Sequence, residues 1–129
     1  LHYAIISGLD SSVSLLLSKG ADANAVGRNG YRAAHIAAAR GRVSALRLLL
    51  NHGADCTSRN WLGYTPLHLS AARGYEGTTK LLLDTIGDVN CRDYVGSTPL
   101  LLACQHNKEK VAKLLLERGA QIELTNKVL

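Results

Sequence analysis

The feature that most constrains this chain is an interval. Leu15-Leu16-Leu17, Leu48-Leu49-Leu50, Leu81-Leu82-Leu83 and Leu114-Leu115-Leu116 recur every 33 residues with no insertion between them. His2, His35, His68 and Leu101 keep the same spacing. A sequence that repeats itself at roughly 20 to 50 residues builds an array, in which each unit packs on its neighbours and not around a common centre. The 47% apolar content is ordinary for a globular chain; here it is expected to form a thin, continuous seam.

One stretch states the unit most fully: Gly63-Tyr64-Thr65-Pro66-Leu67-His68-Leu69-Ser70-Ala71-Ala72-Arg73-Gly74. Thr65 supplies a helix cap, Pro66 a preset first turn, and Gly74 a left-handed stop. Thr98-Pro99-Leu100 repeats the opening of that pattern. A period of about 33 residues around a T-P-L-H core resembles the ankyrin repeat, and the likeness runs the whole length of the chain. It implies an all-α repeat solenoid of stacked helix-turn-helix units joined by β-hairpin-like loops. Loop tips and first helices would line a concave side, with second helices forming a convex back. The units are read as a partial repeat at 1–26, repeats at 27–59, 60–92 and 93–125, and the start of a further one at 126–129. The sequence is expected to be part of a longer array or a larger protein, and to be monomeric as it stands.

Departures from the pattern carry their own expectations. Asp10-Ser11-Ser12 offers capping side chains to a helix over Val13 to Ser18. Arg32-Ala33 replaces Thr-Pro, which should weaken one helix start. Gly20, Gly53 and Gly119 are placed to end second helices in the left-handed region, but the third unit has Ile86 there, so Gly87 is expected to take that turn. Asn107 stands where Gly74 stands one unit earlier, and asparagine is the usual substitute at positive φ.

The side chains that could carry chemistry are better read as structural. Three histidines at one equivalent place in successive units lie about 8–10 Å apart if helices pack normally, too far to share a metal ion. They are expected to be neutral and bonded to the helix start and nearby backbone; no metal or cofactor is expected. No nucleophile elbow, phosphate loop or paired carboxylate is present, so an enzyme is not expected. Cys56, Cys91 and Cys104 are an odd set without a C-x-x-C pair. They read as buried reduced thiols of a cytoplasmic or nuclear protein. No apolar run approaches the roughly 18 residues of a membrane span.

Stacking constrains the T-P-L-H, Ala and Leu positions, whereas loop tips and first-helix ends are free to vary. There the sequence places Arg28, Asn29, Tyr31 and Arg40, then Arg59, Trp61, Leu62, Tyr64 and Arg73, then Arg92, Tyr94, Val95, Ser97, Gln105 and His106. Five arginines and the only tryptophan of a chain with net charge +5 thus fall on one side, with Asp93 the sole nearby carboxylate. Trp, Tyr and Arg are the types enriched in interface hot spots, and arginine recognises carboxylate and phosphate by paired bonds. These residues are read as a protein- or peptide-binding surface for an acidic or phosphorylated segment with an apolar anchor. A basic surface for nucleic acid or phosphoinositide is the alternative, and an unused spacer a third reading. The resemblance further implies that Asn24 and Asn90, in the connectors, are open to asparagine hydroxylation.

Overall fold

The computed structural model describes residues 1–122. Within them the chain forms eight α-helices in four pairs: α1 (His2–Ile6) with α2 (Asp10–Ser18), α3 (Ala33–Ala39) with α4 (Val43–Asn51), α5 (Pro66–Arg73) with α6 (Glu76–Thr85), and α7 (Pro99–Gln105) with α8 (Glu109–Glu117). First helices pack on first helices, and second on second, so the array has two layers and is an all-α repeat solenoid. The close of the fourth unit at 123–125 and the arm expected at 126–129 lie outside the described residues.

A helix of five to ten residues is too short to persist alone in water, so the apolar seam between the layers holds these together. Ile5, Leu46, Leu49, Leu67, Leu82 and Leu115 are almost wholly excluded from solvent. Truncating any one of them to alanine is expected to remove about 2–5 kcal/mol. Alanine is just as fully buried where helix axes approach, at Ala33, Ala37, Ala38, Ala71 and Ala103.

Helices α3, α5 and α7 show how much of a cap each sequence can build. In α5 the Thr65 hydroxyl accepts from the His68 N–H at 3.4 Å, while the Thr65 N–H donates back to His68 Nδ1 at 3.2 Å. In α7 the Thr98 hydroxyl accepts from the Leu101 N–H at 3.2 Å, but leucine returns nothing. In α3 only the return bond survives, from the Arg32 N–H to His35 Nδ1 at 3.1 Å, because a guanidinium has no acceptor. Arg32 nonetheless takes nearly the same backbone angles as the two threonines.

Those histidines do more than cap. Since Nδ1 accepts an N–H, the ring proton sits on Nε2, which points into the next unit: His35 Nε2 lies 2.9 Å from the Tyr64 carbonyl and His68 Nε2 lies 2.9 Å from that of Ser97. His2 makes a longer version, 3.4 Å, to Tyr31. Both nitrogens are used only by the neutral ring. Burial accordingly lowers the pKa of His35 and His68 below the ordinary value, more than the bonds to backbone carbonyls raise it.

The loops are hairpins reduced to one closing bond. Gly27, Asn60 and Asp93 each donate their N–H to a carbonyl four residues on, at 2.7, 3.0 and 2.9 Å, and among the described residues only Val26 and Arg32 form a β-bridge. Asn60 and Asp93 also accept two loop N–H groups on Oδ1. Gly27 has no such side chain, and its loop instead makes a tight 3₁₀ turn in which Asn29 and Gly30 are both left-handed.

Three expectations need correction. Helix α2 begins at Asp10, a turn before Val13, with Leu9 as an N-cap that makes no side-chain bond; Asp10 therefore works from the first turn, against the helix dipole. Ile86 does leave the helix, but extended at φ −100°, and Gly87 does not adopt positive φ. The α6 end has no left-handed turn: the Ile86 N–H closes on the Leu82 carbonyl at 2.8 Å. Finally, Cys56 and Cys91 are buried but Cys104 is exposed. Ala38 and Ala71, at the same place in earlier units, are buried beneath the following helix pair, cover that Cys104 lacks among the described residues. Gly20, Gly53, Gly119 and Asn107 do take the left-handed angles expected of them.

Two outcomes follow. Because His35 and His68 stay neutral in the fold while unfolded histidine protonates near about pH 6.5, stability is complete above that value and falls as pH drops below it. Thermal melts between pH 7.5 and 5 should show this loss, and a His35→Gln, His68→Gln variant, less stable at neutral pH, should show a flatter profile. An unchanged slope in the variant would remove the histidines as the cause. Arg32→Thr with Ala33→Pro should rebuild the α3 cap and raise the unfolding free energy by up to about 1 kcal/mol, read from the urea midpoint; a lower midpoint would show that the Arg32 bond to the Asn24 carbonyl, 3.0 Å, matters more.

Candidate partner-binding face

The loop tips are linked into a ladder. The Trp61 N–H donates to the Asn29 carbonyl at 3.0 Å, and the Tyr94 N–H to the Leu62 carbonyl at 3.3 Å. Glycine makes this closeness possible. A Cβ on Gly30 would lie 2.6 Å from Trp61 Cδ1, and one on Gly63 would lie 2.6 Å from the Tyr94 nitrogen; both glycines also hold positive φ. Each aromatic ring therefore rests on the preceding loop while its other surface meets water. Trp61 is 71% exposed, Leu62 62%, Tyr94 60% and Val95 47%. The result is an apolar patch, one edge of the loop-bearing side, whose tryptophan is already seated.

Behind the tips lies a second stripe. Arg40 caps the C-terminus of α3, Arg73 is the last residue of α5, and His106 caps α7. Cations at helix C-termini are favoured by the dipole, which explains the position of Arg40 and Arg73 without any ligand. Between the stripes runs a groove of about 460 Å³ lined by Tyr31, Tyr64, His68, Leu69, Ala72, Arg73, Leu102, His106 and Lys108. Tyr31 stacks edge-on against His35 at 5.7 Å, and Tyr64 tilts against His68 at 6.0 Å. Burial, and then the Asp93 carboxylate, raise the Tyr64 pKa.

The structure thus gathers Tyr31, Tyr64, Arg73 and His106 on one groove, with Trp61, Leu62 and Tyr94 on the adjoining tips. Arg28, Asn29, Arg40 and Gln105 are exposed at tips or helix ends and do not line it. Arg59 and Arg92 are exposed and also bond to backbone. Arg59 donates to the carbonyls of Gly63, at 2.8 Å, and of Arg92, and Arg92 donates to that of Gly96 at 2.7 Å. Each guanidinium clamps its own loop, and that of Arg59 also ties it to the next unit. Ser97, expected at the surface, is buried with the Asp93 carboxylate that accepts its N–H. Sequence spacing missed Leu69, Leu102 and Lys108, because a leucine in a first helix reads as core; Leu69 and Leu102 are in fact at the groove floor. The signal for Lys108 was available one unit earlier: residues that follow the turn pack onto the previous unit's glycine, as Tyr75 does on Gly41 and Lys108 on Gly74.

Asn24 and Asn90 lie in the connectors, away from this face. The Asn24 amide donates to the Gly53 carbonyl at 3.1 Å and accepts from the Asp55 N–H at 2.7 Å, and Asn90 accepts from the Gln121 N–H at 2.9 Å. Each ties its connector to the next. The groove holds no paired carboxylates, and among the described residues no cluster of three or more His, Cys, Asp or Glu could hold a metal ion. Among those residues, too, no helix is long and apolar enough to cross a membrane.

Comparison with known proteins agrees with this architecture. The family model described as ankyrin repeats (3 copies) matches residues 56–126, and a second, described as ankyrin repeats (many copies), matches residues 1–50. No curated protein gives a match. Two family models that between them span nearly every unit, on a chain whose helix pairs, capping histidines and glycine turns recur at one interval, leave a single conclusion: the chain belongs to the ankyrin repeat family.

Proposed function

We propose that this array binds a segment of a partner protein across its concave, loop-bearing side, with an apolar residue of the partner against Trp61 and Leu62 and acidic or phosphorylated residues facing Arg40, Arg73, His106 and Lys108. Ankyrin repeats are in general protein–protein interaction modules, and the family is typically non-enzymatic. The observation that carries the finer reading is the pairing of a 71%-exposed tryptophan, held on Gly30, with a cationic row across an apolar-floored groove. A tryptophan already seated loses little freedom on binding, and such anchors contribute most to protein interfaces.

The same geometry disfavours the nucleic-acid alternative. Polyanion binding draws on many cations that can reach phosphates, and Arg59 and Arg92, though exposed, spend part of their donors on loop carbonyls. Asp93, whose charge would oppose an acidic partner, is only 3% exposed.

The test compares the intact array with Trp61→Ala and Arg73→Ala variants, shown by circular dichroism to remain folded, in capture from cell lysate at two salt concentrations. Trp61→Ala should weaken capture of a specific protein about 30-fold or more, from roughly 2 kcal/mol for a central anchor, at either salt. Equal recovery by wild type and both variants would place the interaction elsewhere. Recovery of nucleic acid, lost steeply at high salt whatever its sequence, would favour the basic-surface alternative.

A further inference from the structure

The groove also constrains the conformation of what it binds, an inference that rests on the concave reading above. Its floor is the side of α5 and α7, through Leu69, Ala72 and Leu102. The Leu69 and Leu102 N–H groups donate to the Thr65 and Thr98 carbonyls, and the Leu102 carbonyl accepts from the His106 N–H, so the leucines of this floor offer a ligand no backbone donor. An extended peptide lying there would press unpaired backbone groups against apolar surface, at a penalty of about 1–3 kcal/mol for each. A helical ligand pairs its own.

Register points the same way. Equivalent residues such as Arg40, Arg73 and His106 recur once per unit, and packed helices lie about 8–10 Å apart. An α-helix laid along the array returns to the same face every seven residues, about 10.5 Å. In a β-strand that distance is about three residues, which turns successive side chains to opposite faces. Charge then sets the orientation about the axis, since the tip wall is apolar and the helix-end wall is cationic.

We infer that the partner segment is an amphipathic α-helix lying along the groove, with apolar residues toward the Leu69–Leu102 floor and the Trp61 tip, and carboxylates at seven-residue spacing toward Arg73 and His106 in the groove and toward Arg40 beyond its end. A polyproline helix, which repeats its face every three residues in about 9.3 Å, has the right pitch but an unpaired backbone.

Four synthetic peptides of about 20 residues and identical composition test this. Two are helical, with leucines at heptad positions a and d and one glutamate per heptad on one flank or the other, to allow for either direction of binding. The third spaces its glutamates every five residues; the fourth scatters prolines through the sequence. Trp61, the only tryptophan, reports binding by its fluorescence, and calorimetry serves the variants. One in-register helix should bind at least about tenfold tighter than the third and fourth peptides, and Arg73→Glu should remove that preference. Equal or tighter binding by the proline peptide, still weakened by Trp61→Ala and Arg73→Glu, would overturn the helical ligand and leave the concave face standing. Binding indifferent to both substitutions would overturn both. Absence of binding by any of the four would overturn the helical ligand.

Discussion

A single imidazole joins three parts of this structure. His68 accepts the Thr65 N–H on Nδ1 and lies 2.9 Å from the Ser97 carbonyl through Nε2. It thereby fixes the start of its own helix, the close of the next loop and the distance between units at once. His35 does the same with Arg32 and Tyr64. Side chains that bond both ways transmit position from one unit to the next, so the loops that carry Trp61 and Tyr94 are set by the helices behind them. Where the ring is replaced, as at Leu101, the helix keeps its threonine cap but sends no bond onward from this place.

The second constraint is the absence of side chains. Five positions of one kind or another bring a residue against the preceding unit's glycine: Trp61 on Gly30, Tyr94 on Gly63, Arg42 on Gly8, Tyr75 on Gly41 and Lys108 on Gly74. At four of these a Cβ would come within 2.6 Å of its neighbour, a distance real side chains do not tolerate. The glycines therefore serve twice, as turns and as seats. This is why large aromatic rings can be exposed without being loose, and why an interaction surface could arise here without disturbing the stack.

Most of the fold was legible because stacking makes the sequence repeat. The leucine triplets, the Thr-Pro caps and the left-handed glycines mark unit boundaries and helix types. What the period could not convey was how each departure from it would be absorbed. Ile86 required a helix end without a left-handed residue, and the chain met this by extending Ile86 itself, leaving Gly87 out of it. Arg59 and Arg92 are exposed, as their charge suggests, but the period does not show that they also bond to loop backbone. A guanidinium has five donors, and a loop four residues long presents carbonyls within its reach. Groove residues were hardest, since Leu69 and Leu102 obey the same helical pattern as the core and only their neighbours across the layer decide which surface they meet.

Variation from unit to unit also explains why the groove is local. Tyr31 and Tyr64 occupy one column, and the next place in it is Ser97, which is buried. Arg40 and Arg73 occupy another, followed by His106. The aromatic row therefore stops one unit short while the leucine floor continues, opening space beside Tyr64 over Leu102. The residues that break the period are thus the ones that give this face a shape of its own, and the residues that keep it hold that shape in place.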